Sequence, residues 1–149
     1  MARYAEGTTV TVERSRGEIT GILASHGVVE MGWRTGPAED RLMFKLGGRS
    51  YLFAIPKPTA QDLWNQWKAD GKSERALKYL PNDAQVAAEW RRRWRANVLL
   101  LKAKLEFADG ETSTVERELM PYMLTAGGKT LGDLIESPEG ARLLLGGGR

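Results

Sequence analysis

Apolar residues recur every three or four positions between Pro81 and Phe107, where Ala87, Trp90, Trp94, Val98, Leu101 and Leu105 fall on one face of a single long helix. A face that wide needs a core to cover, and the pattern upstream supplies one. Thr8 to Val12 is β-branched and alternating, which predicts a strand. Ser15 and Glu18 have the spacing of a capping box that opens a short helix carrying Ile19, Ile22 and Leu23, with Gly27 as its stop. Val28 to Trp33, Arg41 to Leu46 and Arg49 to Ile55 read as three further strands. A polar turn with Gly36 and Pro37 lies between the first two, and the Gly47-Gly48 hairpin signal lies between the last two. Pro56 and Pro58 close the run, because proline cannot donate to a sheet ladder.

The expected fold is therefore α+β: a small, four-stranded, mainly antiparallel sheet in β-α-β-β-β order, covered by the long helix, with short helices added. The 149 residues bound the chain to one domain with a proper core. Thr59 to Leu80 reads as an inserted arm of two short helical pieces, Ala60 to Ala69 and Glu74 to Leu80. So short a pair buries little by itself and is expected to dock on another subunit. Downstream, Ser113 and Glu116 have capping-box spacing, Tyr122 to Thr125 suits a short strand, and Thr130 caps a helix with Leu131, Leu134 and Ile135. Ser137 and Pro138 begin a last short helix ending near Leu145, and the tail 146–149 is expected to be flexible.

Charge changes the picture of the long helix. Arg91, Arg92, Arg93, Arg95, Lys102 and Lys104 stand there against only Asp83 and Glu89, while the whole chain carries a formal +3. A clustered positive field with a sequence pI near 9.3 favours an anionic partner. Cysteine is absent and histidine occurs once, which excludes disulfides, thiolate chemistry and Cys/His zinc sites. No apolar run reaches the roughly eighteen residues that span a bilayer, and the N-terminus has no leader-like core, so a cytoplasmic protein without a membrane partner is expected.

Three stretches carry a resemblance. They are the Ser15 to Gly27 helix running into a strand, the Gly48-Arg49 hairpin closing on Ala54-Ile55-Pro56, and Trp90-Arg91-Arg92-Arg93-Trp94-Arg95-Ala96. The third continues into Leu101-Lys102-Ala103-Lys104-Leu105-Glu106, with Gly128-Lys129-Thr130-Leu131-Gly132 downstream. Over most of the chain outside Thr59 to Leu80, the sequence resembles a group of phage and prophage proteins without an established activity. The resemblance implies a viral setting, with a bias toward nucleic-acid handling or countering host defence, and the cytoplasm of an infected cell as the place of action.

Candidate chemistry follows from the residue types. Arg91, Arg92, Arg93 and Arg95 can grip phosphate oxygens in pairs, or form a solvated face whose stems lie over the core. Trp64 and Trp67, three apart, can stack on a base or pack against protein. Trp33 and Tyr51 can form a sheet platform or pack across strands. Gly127-Gly128-Lys129-Thr130 is not a P-loop, since the earlier glycine is missing, but Lys129 and Thr130 at a helix start remain candidates for holding a phosphate. Asp109, Glu111, Glu116 and Glu118 are dense enough to consider for a magnesium ion, yet their place at a turn and helix start suits capping. His26 is explained by a helix C-terminus, with no partner to nominate. No catalytic residue, metal ligand or cofactor is assigned. The leading expectation is a non-enzymatic binder of single-stranded nucleic acid. The alternatives are an oligomeric sponge for a cyclic-nucleotide or related immune signal, and a host-factor-binding protein; a homo-oligomer is expected.

Overall fold

The computed structural model describes residues 3–144, so the tail expectation for 146–149 lies outside the described residues. The fold is α+β, with α1 (Val12–Ser25), β1 (Glu30–Thr35), β2 (Glu39–Leu46), β3 (Arg49–Pro56), α2 (Ala60–Ala69), α3 (Asp83–Ala108), α4 (Val115–Glu118), a 3-10 turn (Met120–Tyr122), α5 (Leu131–Glu136) and α6 (Pro138–Leu144). The described sheet has three antiparallel strands in the order β1-β2-β3, not four.

The expected first strand is absent because its last residues open a helix instead. Thr11 is extended at φ −67° and ψ 156°, and its hydroxyl accepts the Arg14 amide at 3.2 Å, making it the N-cap of α1. Starting there puts Ser15, Ile19 and Leu23 on one buried face at helical spacing, a gain that outweighs the strand preference of Thr8 to Val12. Ser15 is consequently a buried mid-helix residue and not a cap. Gly27, at φ +87°, provides the expected stop.

The β2–β3 hairpin turns through Gly47 and Gly48 at φ +60° and +75°, the left-handed pair that a two-residue turn requires. Alternation sends Asp40, Leu42, Phe44, Tyr51, Phe53 and Ile55 to one face and leaves Arg41, Met43, Lys45 and Ala54 on the other. α1 and α3 cover the first face; Trp94, Val98, Leu101 and Leu105 of α3 join Ile19 and Leu23 of α1 in the core. α3 opens with an Asn82–Gln85 capping box, just after the expected start. Ala87, expected on the buried stripe, stays exposed beside a shallow hollow with Lys57 and Pro58.

α2 forms as expected, with a Thr59–Asp62 capping box and Leu63 buried. The Asp62 carboxylate is exposed, and hydrogen bonds with the Thr59 hydroxyl and amide hold it below its usual range. Glu74 to Leu80 makes turns rather than a helix: it buries too little to offset the cost of nucleation. Further on, the cap of α4 is Thr114 instead of Ser113, whose hydroxyl donates to Glu118 Oε1 at 2.6 Å. The short strand expected at Tyr122 to Thr125 is reduced to two isolated bridges, Tyr51–Met123 and Leu124–Thr130, and the Leu124 amide donates to Ser50 O at 2.8 Å. α5 and α6 are capped by Thr130 and Ser137, as the sequence predicts.

Gly140 is where α6 touches α5. It is buried, and a Cβ there would overlap the carbonyl oxygens of Leu134 and Ile135. Gly140→Ala should push α6 off α5, costing about 1–3 kcal/mol. Hydrogen exchange across 131–144 is expected to speed up while the sheet stays protected; unchanged protection there would show that the glycine is not needed for the approach.

Candidate ligand-binding cleft

The arginine-rich part of α3 is engaged with carboxylates of its own chain. Glu89 is 6% exposed and lies three and four residues before two of the arginines, so all three meet on one helical face. Arg92 donates to it through Nε at 2.8 Å and Nη2 at 2.9 Å, and Arg93 through Nε at 3.1 Å. Burial pushes the Glu89 carboxyl up, but hydrogen bonds and charge from both guanidinium groups outweigh it and hold the group below the usual range. Three further donors tie the helix to the rest of the chain. Arg92 Nη1 reaches Tyr4 O at 3.0 Å, and Arg93 Nη1 reaches Pro56 O at 2.8 Å, tying α3 to the end of β3. Arg95 Nη1 donates to Glu18 Oε2 at 2.5 Å, joining α3 to α1. Arg91 makes no ion pair among the described residues.

The tryptophans and Tyr51 divide. Trp33 packs at 5.2 Å from Trp94 on the helix-covered face, and Tyr51 is 0% exposed, stacked on Phe44 at 5.3 Å. Both point away from the open face, so the sheet platform considered from the sequence is not formed by them. Burial, then the charge of Glu116, pushes the Tyr51 hydroxyl up. Trp64 is half-buried and donates its indole N–H to Leu77 O at 3.0 Å, fastening the turn-rich stretch to α2. Thr130 is buried and spends its hydroxyl on the Asp133 amide at 3.1 Å, as the cap of α5. Lys129 is exposed, with its carbonyl taken by Thr125.

Two candidates from separate parts of the sequence do come together. Trp67 at the end of α2 and Arg92 on α3 line one cleft of about 330 Å³, walled by Leu63, Gln85 and Lys72, with the N-terminal segment on the third side. That segment turns sharply, with Ala5 at φ +61° and Gly7 at +75°. The turn brings Arg3 against Asp70 and sets Tyr4 O on Arg92. Gln85 Oε1 accepts the Asn82 amide at 2.9 Å, so its NH₂ is free to donate into the cleft. Lys72 has no ion-pair partner among the described residues, whereas Arg3 and Arg92 are both paired. The lining thus offers half-buried Trp67, the Gln85 amide, and three cations, Arg3, Lys72 and Arg92, beside the carboxylates of Glu6, Asp70 and Glu89, with Lys72 the cation left out of any ion pair among the described residues. Arg3, Lys72 and Gln85 were not legible as site residues, because only the fold of 3–7 and the 70–72 turn brings them together.

Other candidate chemistry settles into structure. His26 Nε2 lies 2.9 Å from Asp109 Oδ2, and Nδ1 lies 2.8 Å from Ile22 O, so the ring clips the C-terminal ends of α1 and α3 together. Among the described residues no group of three or more His, Asp or Glu side chains is placed to hold a metal ion, and no helix is long and apolar enough to cross a membrane. Compared with known proteins, the chain matches no family model, no curated protein and no solved structure.

Proposed function

We propose that this is a non-enzymatic protein that binds a small nucleotide in the cleft between α2, α3 and the N-terminal segment, acting as a sponge for a nucleotide signal. The observation that carries the reading is the meeting of Trp67, Gln85 and Lys72 in one bounded cleft. A base has a π-face for Trp67 and an edge for the Gln85 amide, and a single phosphate suits one free ammonium at the rim. Single-stranded nucleic acid, which the basic stretch alone favoured, needs a track of free guanidinium groups. Arg92, Arg93 and Arg95 already hold Glu89 and Glu18, and those carboxylates offset much of the charge that a phosphate chain would meet. In the viral setting that the sequence resemblance implies, the place of action is the host cytoplasm and the purpose is to withdraw a defence signal.

The test is calorimetric titration of the purified chain with mono-, di- and cyclic nucleotides, beside a labelled oligonucleotide across a salt series. One nucleotide should bind with weak salt dependence. Trp67→Ala should weaken it by about 1–3 kcal/mol, roughly 5- to 150-fold, while Arg91→Ala, outside the cleft lining, leaves it unchanged. Binding only of the oligonucleotide, with a log-log salt slope of about 0.7 per phosphate, would overturn the proposal in favour of the polymer.

A further inference from the structure

The two edges of the sheet are treated differently. Beside β3, Met123 and Leu124 occupy part of the outer edge, whereas nothing pairs with the outer edge of β1 among the described residues. An open edge is a template for another strand, and proteins commonly blunt it with proline, lysine or a bulge. β1, Glu-Met-Gly-Trp-Arg-Thr, has neither proline nor lysine and pairs with β2 without a break from Glu30 to Thr35.

Its sequence is complementary to itself about Gly32. Glu30 and Arg34 flank the glycine at two residues on the open face, and Met31 and Trp33 flank it at one residue on the helix-covered face. We propose that β1 pairs antiparallel with β1 of a second copy about a two-fold axis through Gly32, making one continuous sheet across the dimer. In that register Glu30 stands opposite the partner's Arg34, and Met31 stands opposite the partner's Trp33. Each pair occurs twice, as an isologous contact requires. Val29, 92% exposed just before the strand, comes to lie against the partner's Thr35, a β-branched pair.

Charge within the single chain favours this occupant. Arg34 is exposed, makes no ion pair among the described residues, and sits directly across from Arg41, a like-charge pairing that disfavours the monomer. Arg41 has Glu39 at 2.6 Å, while Arg34 has nothing equivalent. The partner's Glu30 supplies the missing carboxylate, and Glu30 keeps Lys45 at 2.8 Å on its other side. The open face then reads Lys45, Glu30, the partner's Arg34 and the partner's Arg41 across the junction. The surface is separate from the cleft, so the dimer stands or falls independently of nucleotide binding.

The experiment is sedimentation velocity on the full chain over a concentration series, for the parent, Arg34→Glu, and the double swap Glu30→Arg with Arg34→Glu. The parent should dimerise, and Arg34→Glu should raise the dissociation constant about tenfold or more by setting carboxylates against each other. The double swap should restore dimerisation. Circular dichroism of Arg34→Glu, and its melting at concentrations where both proteins are monomeric, should match the parent, because a glutamate opposite Arg41 suits the monomer. A monomeric parent, an Arg34→Glu dimer as tight as the parent, or a double swap that fails to restore association would each overturn the pairing.

Discussion

Glu89→Ala is expected to lower stability by about 3–5 kcal/mol, because it strands the guanidinium groups of Arg92 and Arg93 in a partly buried site with their shared carboxylate gone. Their alternative acceptors, Tyr4 O and Pro56 O, are neutral and each already holds one donor. Glu89→Gln keeps the shape and one acceptor oxygen and should cost less than alanine. The pH dependence has a definite sign. The folded carboxyl lies below its ordinary range, so its stabilising contribution is present at neutral pH and is lost as the pH falls through the folded value. The gap between parent and Glu89→Ala in urea denaturation should therefore narrow in acid. A gap that is absent at neutral pH, or that widens in acid, would show the ion triad to be energetically idle.

Trp94→Ala should cost about as much, roughly 3–5 kcal/mol, by a different route. Trp94 is 0% exposed at the crossing of α1, α3 and β1, with Trp33 at 5.2 Å, Trp90 edge-on at 5.8 Å and the Arg16 guanidinium 4.8 Å above its ring. Arg16 itself donates to the buried Asp40 at 2.5 Å, so a cavity at Trp94 also loosens that pair. The indole N–H of Trp94 has no acceptor, and Trp94→Phe sheds that unpaired donor while keeping most of the ring. Phenylalanine should thus recover most of the loss in thermal melting, whereas Trp90→Ala, at a half-buried position, should cost clearly less than Trp94→Ala. With domains commonly stable by only about 5–15 kcal/mol, alanine at either Glu89 or Trp94 leaves a marginal protein. A Trp94→Ala variant that melts with the parent would contradict the packing described.

Elements with strong periodicity were legible in the sequence. The stripe on α3, the Gly47-Gly48 turn and the caps at Thr130 and Ser137 each rest on local chemistry that the fold leaves intact. The start of α1 was not, since Thr8 to Val12 suits a strand locally and only burial of Ser15, Ile19 and Leu23 decides for the helix. The arginines failed in another way. Their positive charge was plain, and Glu89 at i−3 and i−4 to Arg92 and Arg93 was a visible signal of helical ion pairs that a count of net charge passes over. Glu18, the partner of Arg95, lies 77 residues away, and no local pattern reveals it. The cleft was half legible: Trp67 and Arg92 were candidates, but their meeting depends on the turn at 70–72 and the fold-back of 3–7.

The apolar face of the sheet is complete at Pro56, while the helix that roofs most of it starts at Asp83 and places its last buried residue at Leu105. During synthesis, Leu42, Phe44, Tyr51, Phe53 and Ile55 therefore leave the ribosome well before Trp94, Val98 and Leu101, with α1 alone to shield them. A nascent or truncated chain lacking α3 presents both that bare face and the unpaired β1 edge to its neighbours, which makes the period of translation, rather than the finished fold, the time of greatest exposure to aggregation and of greatest need for a chaperone.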